Sequence, residues 1–218
     1  MSIHLLGYSE STLSRIMAIL QAGNWKDDIV IVPNIEVREE IPFCPPGMNF
    51  KKVSCDQWKP SLKEENCLLA IMKPVSKKIV FDFFQQQCGV NQNNYLSIQH
   101  PTAVIDSTVS LKNACIIEPM SVIASFAKLG FGVYINRGCT IGHHTVLDDF
   151  VSINPGVHVA GHCTIGKGTQ IGIGSVVFDH VHIGANSIIG GGSVVTKNIP
   201  DNVIAWGNPC TVIKQIEK

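Results

Sequence analysis

The most regular feature of the chain is an aliphatic residue at every sixth position from Ile105 to Val195. This period is neither the roughly 3.6 residues of an α-helix nor the simple alternation of a hairpin sheet. The sixteen positions, all Ile, Leu or Val, are Ile105, Leu111, Ile117, Ile123, Leu129, Ile135, Ile141, Leu147, Ile153, Val159, Ile165, Ile171, Val177, Ile183, Ile189 and Val195.

A small or β-branched residue stands two positions before each of these aliphatic residues, as at Cys139 and Thr145, and glycine often follows them, as at Gly142. This is the hexapeptide signature of a parallel β-helix. Each hexapeptide supplies one short strand and one turn, and three hexapeptides complete a triangular coil. Eighteen residues therefore return the chain above itself, and we predict that the aliphatic side chains fill the axis of a prism.

The residues before the repeat have a different pattern, which predicts an α/β unit. IHLLGY predicts a buried strand, and STLSRIMAILQAG predicts an amphipathic helix with Ser or Thr available as its cap and Gly23 as its stop. DDIVIV predicts a second strand. A loop-rich excursion from Pro33 to Pro60 follows, and then CLLAIM predicts a strand and KKIVFDFFQQQCG a helix. This arrangement is about half of a doubly wound, Rossmann-like sheet.

Composition narrows the function. Lys plus Arg and Asp plus Glu each number 17, so no basic surplus points to a nucleic acid or an anionic membrane. The N-terminus lacks the pattern of a secretory leader, and no stretch reaches the roughly 20 apolar residues of a membrane span. We expect a cytoplasmic protein. Of the eight cysteines, no two form a Cys-x-x-Cys pair, and Cys115, Cys139 and Cys163 follow the repeat as small core residues.

The repeat also aligns side chains in columns, because residues eighteen apart should stack about 4.8 Å apart. His143, Gly161 and Asp179 form one predicted column, and His144, His162 and His180 form the next. His143 should thus lie directly below Gly161. A base and an exposed backbone N–H are the two parts that an acyl transfer needs, one to take a proton from the nucleophile and the other to stabilise the oxyanion. Glycine lets a thioester approach the backbone closely.

The hexapeptide run with GHHTVLDDFVSINPGVHVAGHCTIG and the closing GGGSVVTKNIPDNVIAWGNP resembles the left-handed β-helix acyltransferases. Within them the chain is most similar to bacterial sugar acetyltransferases that modify nucleotide-linked amino sugars or sialic acid. The resemblance implies a homotrimer that binds acetyl-CoA between neighbouring β-helices, with a histidine as general base and no covalent acyl-enzyme. The family's catalytic histidine corresponds to His143, and Asn136 corresponds to a position that contacts the sugar. Gly161 corresponds to the amide at the acetyl carbonyl, and Ile173 and Gly191 to positions along the pantetheine arm.

Three departures from the family pattern change what we expect. His144 replaces the acid that usually orients the catalytic histidine, so another group, for which a backbone carbonyl is a candidate, must orient His143. Ser152 replaces a second histidine that often follows. The glycine-rich loop that holds a nucleotide pyrophosphate at a helix N-terminus is here the segment from Gly7 and Tyr8 to Thr12, in which one glycine remains and Glu10 would repel the phosphates.

Other candidate residues have simpler interpretations. We expect His158, His180 and His182 to be solvated. A metal site on the column of His144, His162 and His180 is not favoured, because stacked side chains point in parallel and no carboxylate or thiolate completes the set. We therefore predict no metal. We expect two adjacent aspartates and a run of three glycines to shape turns: Asp148, Asp149, Gly190, Gly191 and Gly192.

The sequence therefore predicts a Rossmann-like α/β domain at 1–97 for docking a nucleotide sugar, a left-handed parallel β-helix at 98–200 and a C-terminal tail at 201–218. The predicted activity is transfer of acetyl from acetyl-CoA to the amine of a nucleotide-linked amino sugar in bacterial surface glycan (lipopolysaccharide or O-antigen) synthesis. His143 would be the base and Gly161 the oxyanion donor, while Asn136, Gly7 and Tyr8 would contact the substrate. Two alternatives stay open: O-acetylation of a sugar or sialic acid, and a non-catalytic β-helix trimer.

Overall fold

The N-terminal part of the chain is an α/β unit. The computed structural model describes residues 2–35, 48–60 and 66–217, so Pro42, Pro45 and Pro46 of the predicted excursion lie outside the described residues. The elements of this part are β1 (Ile3–Leu6), α1 (Glu10–Ala22), β2 (Ile29–Val32), β3 (Phe50–Lys52), β4 (Cys67–Leu69), α2 (Pro74–Cys88) and a 3₁₀ turn (Gln92–Asn94).

The four strands form one parallel sheet in the order β3-β2-β1-β4. The central strands β1 and β2 are apolar and almost wholly buried, as expected for strands covered on both faces. Two details differ from the sequence prediction. Strand β3 lies within the predicted loop excursion, and Ser9 occupies the N-cap of α1 without a side-chain capping hydrogen bond. The helix ends at Ala22, and Gly23 is its C-cap, the position predicted as its stop.

The repeat region forms short two-residue strands separated by turns. They are β5 (Ile98–Gln99), β6 (Val104–Ile105), β7 (Ser110–Leu111), β8 (Ile116–Ile117), β9 (Val122–Ile123), β10 (Lys128–Leu129), β11 (Tyr134–Ile135), β12 (Thr140–Ile141), β13 (Val146–Leu147), β14 (Ser152–Ile153), β15 (His158–Val159), β16 (Thr164–Ile165), β17 (Gln170–Ile171), β18 (Val176–Val177), β19 (His182–Ile183), β20 (Ile188–Ile189) and β21 (Val194–Val195).

Each of these strands pairs in parallel with the strand eighteen residues away, for example Thr140 with His158 and Ile141 with Val159. Every third strand therefore belongs to the same sheet, and three sheets form the faces of the prism. The predicted aliphatic residues fill the axis, where all but Ile105 and Leu111 at its open N-terminal end are buried. The hexapeptide prediction is thus confirmed.

The last strands close the C-terminal end of the β-helix. β22 (Val203–Gly207) adds in parallel to β20, and β23 (Cys210–Gln215) pairs with β22 in the antiparallel direction. Residues 203–215, which the sequence analysis set apart as a tail, thus extend one face of the prism. Val203 and Ala205 are fully buried against the axis residues.

The two parts of the chain share a core. Phe81 of α2 packs against Phe131 and Phe150 at one corner of the prism, with ring centroids 5.0 and 6.0 Å apart. Ser152 Oγ donates a hydrogen bond of 2.8 Å to the carbonyl oxygen of Met72. These contacts fix the α/β unit against the β-helix. Neither α1 nor α2 is long and apolar enough to cross a bilayer, and the described residues contain no other helix that could.

Lys77 carries an unusual contact between the two parts. Its side chain is buried, and Nζ donates to the carbonyl oxygens of Gly132 at 2.6 Å and Val151 at 3.4 Å. Burial lowers the pKa of Lys77 to about 7. The unfolded chain, with a lysine pKa of about 10.4, therefore binds more protons than the folded chain above pH 7, so this group makes the fold more stable as pH rises.

Replacing Lys77 by Met should remove this dependence. We expect the free energy of unfolding of the wild type, relative to Lys77→Met, to rise between about pH 7 and pH 8.5, by up to about 1.4 kcal/mol per pH unit. The measurement is urea denaturation of both proteins across that range. Lys78→Met is the matched control, because Lys78 is exposed and pairs with Asp82. Parallel pH profiles for wild type and Lys77→Met would contradict the assignment.

Candidate functional site

The turn between β12 and β13 carries the two adjacent histidines, His143 and His144. It starts at Gly142, where a Cβ atom would lie 2.4 Å from the carbonyl carbon of Ala160 and 2.5 Å from the nitrogen of Gly161. Only glycine allows the two coils to approach this closely. His143 and His144 follow, both exposed, and His144 has a left-handed backbone with φ of 58°. The turn therefore presents two imidazoles to solvent at one corner of the prism.

His143 lies directly beside Gly161 of the next coil, where its column placed it. A Cβ atom at Gly161 would lie 2.8 Å from Nε2 and 2.9 Å from Cε1 of the His143 ring. The imidazole therefore occupies the space that any other residue would fill with its side chain. The Gly161 carbonyl accepts a hydrogen bond from His180 N, while the Gly161 N–H has no acceptor among the described residues. The His143 ring and a residue whose backbone N–H is unpaired among the described residues thus lie side by side at this corner.

His144 is the group that contacts the other nitrogen of His143. The two Nδ1 atoms are 3.1 Å apart, and the rings are nearly perpendicular. If His143 carries its proton on Nδ1, it donates to His144 Nδ1, and Nε2 beside Gly161 keeps its lone pair. Phe126 and His162 pack on His144 with centroids 4.9 and 4.8 Å away. Among the described residues, the group in contact with Nδ1 of His143 is thus an imidazole.

The predicted histidine column is also present. His162 stacks on His144 with an interplanar angle of 19° and on His180 with an angle of 3°. His143 stands at 89° to His162, with centroids 4.9 Å apart. Partial desolvation, and then the neighbouring imidazoles of His144 and His180, lower the pKa of His162. The corner therefore favours neutral imidazole at His162.

A second corner, one prism face away, carries other predicted residues. Asn136 is buried, and its Oδ1 accepts a hydrogen bond of 2.9 Å from the backbone N–H of Arg137. Ile173 is 62% exposed, and a Cβ at Gly191 would lie 3.0 Å from Ile173 Cγ2. Ile173 and Gly191 are therefore neighbours in one column, as the repeat requires. Within one chain, therefore, Ile173 and Gly191 lie at a different corner of the prism from His143 and Gly161.

Gly7 and Tyr8 lie on the α/β unit, where β1 ends and α1 begins. Gly7 has φ of 91°, and a Cβ there would lie 3.0 Å from Ile71 Cγ1 and Val80 Cγ1. Tyr8 is half-buried and packs with the core beneath α1. Glu10 is exposed in the first turn of α1. The predicted site residues of one chain therefore fall in three places.

Sequence reasoning missed a buried polar cluster between the second corner and α1. Glu118 is buried, its Oε1 lies 3.6 Å from Arg15 Nη1, and its Oε2 lies 3.7 Å from Arg137 Nε. Tyr134 Oη donates to Glu118 and accepts from Arg15 at 3.0 Å. Burial and the hydrogen bond to Glu118 raise the pKa of Tyr134. The available signal was Glu118 itself, a carboxylate eighteen residues before Asn136.

Several solved structures share the fold of this chain, and one family model matches part of its sequence. The model described as "Bacterial transferase hexapeptide (six repeats)" matches residues 162–197. No curated protein sequence matches the chain. A mutant of perosamine N-acetyltransferase from Caulobacter crescentus, solved with CoA and GDP-perosamine, is 22% identical with a TM-score of 0.79, over 98% of this chain and 97% of that one.

Two further structures are similar over the same extent. The acetyltransferase domain of PglB from Neisseria gonorrhoeae, solved with acetyl coenzyme A, is 20% identical with a TM-score of 0.79, over 97% of this chain and 98% of that one. WeeI from Acinetobacter baumannii is 20% identical with a TM-score of 0.72, over 98% and 100% of the two chains. The predicted α/β unit with a left-handed β-helix, and the resemblance in fold to sugar acetyltransferases of this class, are confirmed.

The contact between His143 and Gly161 can be tested without any substrate. Gly161→Ala should displace the imidazole, because the new Cβ would lie 2.8 Å from Nε2. We expect the ring NMR signals of His143, assigned with His143→Gln, to shift in Gly161→Ala. Gly191→Ala makes the same change at the corresponding turn position of the other corner and should leave these signals in place. Unchanged His143 signals in Gly161→Ala would refute the contact.

Proposed function

We propose that this chain is an acetyltransferase that moves the acetyl group of acetyl-CoA to the amine of a nucleotide-linked amino sugar. The observation that carries the proposal is the position of His143 Nε2 against Gly161, whose N–H is unpaired among the described residues. The shared fold with the perosamine and PglB acetyltransferases supports the acyl donor and the class of acceptor. Both molecules are substrates rather than resident cofactors.

In the proposed reaction, the sugar nitrogen attacks the thioester carbonyl carbon directly. Nε2 of His143 takes the proton that the nitrogen loses, and the Gly161 N–H donates to the oxyanion of the tetrahedral intermediate. The intermediate collapses by breaking the carbon–sulfur bond, and the imidazolium returns its proton to the sulfur of CoA. The products are the N-acetylated sugar and the CoA thiol.

The cysteines support direct attack without an acyl-enzyme. Cys139 and Cys163 are the thiols of the coils that carry the site, and both are fully buried in the prism axis. Burial raises the pKa of Cys139 to about 11 and also raises the pKa of Cys163. Neither thiol offers the exposed thiolate that a covalent mechanism needs. The acceptor itself is therefore the nucleophile.

The placement of the predicted residues supports a trimer. His143 and Gly161 occupy one corner of the prism, while Ile173 and Gly191 occupy another, and a contact between two copies would gather all four around one acetyl-CoA. The face between these corners exposes valines, with Val104 61% and Val122 42% exposed. Packing this face against a second copy would cover the valines and bring unlike corners together.

Transfer activity and the role of each histidine can be measured together. We expect acetyl-CoA-dependent release of CoA thiol with amino sugars linked to UDP, dTDP or GDP, and none with matched sugars that carry a hydroxyl in place of the amine. His143→Ala should lower kcat by about 10² to 10⁴-fold, as for loss of a general base. His144→Ala should cost less, because it removes the orienting contact but leaves the base.

The control for that experiment is His182→Ala, an exposed histidine on the strand β19, which lies on a different face of the prism from Val104 and Val122. We expect it to keep the wild-type rate. Equal losses for the His143 and His144 variants would show that the wrong ring was assigned. Activity only on acceptors without an amine would move the assignment to O-acetylation, and no activity on any acceptor would favour the non-catalytic trimer.

The assembly has its own test. Sedimentation equilibrium at micromolar concentration should give three times the chain mass of 23.7 kDa. Val122→Asp, which puts a charge on the exposed face, should dissociate the trimer and abolish transfer, whereas Val75→Asp on α2, where the exposed fraction is 73%, should do neither. A monomeric wild type would reject both the trimer and a site shared between copies.

A further inference from the structure

The corner that carries His143 holds a cluster of three imidazoles. The ligand nitrogen atoms of His143, His144 and His162 all lie within 4.8 Å of one another, and all three side chains are exposed. This set differs from the stacked column considered in the sequence. His144, His162 and His180 are close to parallel, whereas His143 belongs to the neighbouring column and stands perpendicular to both His144 and His162.

The spacing of the first two nitrogens suits a shared metal ion. Zinc binds imidazole nitrogen at about 2.0–2.1 Å. An ion bonded to the two Nδ1 atoms, which are 3.1 Å apart, would hold an N–metal–N angle of about 98°. That angle falls between the roughly 90° of octahedral and the roughly 109° of tetrahedral coordination. The distance between the two Nδ1 atoms is therefore compatible with binding to one ion.

His162 supplies the third ligand. For coordination at these angles, the third nitrogen must lie within roughly 3.4 Å of the other two. The ligand nitrogens of the three rings lie up to 4.8 Å apart, so the His162 ring must turn out of its stack with His144 and His180. Its side chain is exposed and makes ring contacts alone, so it is free to turn. Solvent then completes the coordination shell.

We propose that His143, His144 and His162 together bind one divalent late first-row transition metal ion, of which Zn²⁺ is the representative. Imidazole ligands favour Zn²⁺, Cu²⁺ and Ni²⁺. Mg²⁺ and Ca²⁺ are hard cations that prefer oxygen ligands and do not suit this site. The bound ion touches the proposed base, so the site regulates the reaction by blocking it.

The block follows from the single proton of a neutral imidazole, and this step rests on the proposed function. As a base, His143 carries its proton on Nδ1 and keeps a lone pair on Nε2 beside Gly161. A metal ion on Nδ1 needs that lone pair, so the proton of the ring resides on Nε2. Nε2 then donates rather than accepts, and His143 cannot take a proton from the sugar amine.

Metal binding is tested on the full chain without a polyhistidine tag, by equilibrium dialysis and calorimetry with Zn²⁺ and by the visible spectrum of bound Co²⁺. We expect one ion per chain. His143→Gln, His144→Gln and His162→Gln should each weaken binding by about tenfold or more, because loss of a ligand costs at least as much as loss of a group that only orients one. Circular dichroism establishes that each variant is folded.

Three control variants separate this site from other histidines. His158→Gln and His182→Gln change exposed strand histidines and should bind Zn²⁺ like the wild type. His180→Gln tests the stacked column, because a column site would lose affinity in that variant and keep it in His143→Gln. A loss of affinity in His180→Gln but not in His143→Gln would overturn the proposal. Equal binding of Zn²⁺ by all variants, or equal binding of Mg²⁺ and Zn²⁺ by the wild type, would also overturn it.

Measurements of acetyl transfer in the presence of Zn²⁺ distinguish the metal site from the proposed acetyltransferase function. Zn²⁺ should inhibit acetyl transfer by the wild type, a chelator should restore it, and His162→Gln should need about tenfold more Zn²⁺ for half-inhibition of its own metal-free rate. Zinc binding without transfer to any acceptor would reject the proposed function and leave the metal site standing. Transfer that continues at saturating Zn²⁺ would overturn the block at His143.

Discussion

Hydrogen-bonded stacking of each eighteen-residue coil on the coil before it is the interaction on which the rest of this structure depends. From β5 to β21 the strands pair in one register, so every side chain there has a fixed neighbour in the next coil. This register places His143 against Gly161 and His144 against His162. A shift of one residue would turn the aliphatic axis outward, and the buried axis therefore fixes the site as firmly as it fixes the fold.

Close packing at the corners gives glycine its chemical role. At Gly142 the absence of Cβ lets two backbones meet, whereas at Gly161 it makes room for the His143 ring. The first glycine maintains the fold, and the second leaves an unpaired backbone N–H beside the proposed base. One corner therefore has two uses for its imidazoles: His143 Nε2 faces the proposed acyl donor, and the Nδ1 atoms of His143 and His144 face each other at the spacing of a metal ion's ligands.

The hexapeptide period was enough to predict the β-helix and its columns, because a periodic fold converts sequence spacing directly into spatial neighbours. It could not predict ring orientation, which depends on side-chain torsions: the perpendicular setting of His143 became visible only in the structure. Contacts between the two parts of the chain follow no period. The repeat therefore could not predict the burial of Lys77 or the pairing of Arg15 with Glu118.

The central claim is that His143 and Gly161 surround the reacting acetyl group. The most direct measurement is a crystal structure of the protein with CoA and a nucleotide-linked amino sugar. We expect the CoA sulfur at the His143 corner, the sugar amine within hydrogen-bonding distance of His143 Nε2, and the pantetheine arm along Ile173 and Gly191 of a second copy. CoA bound away from His143, or an amine directed to a different side chain, would contradict this claim.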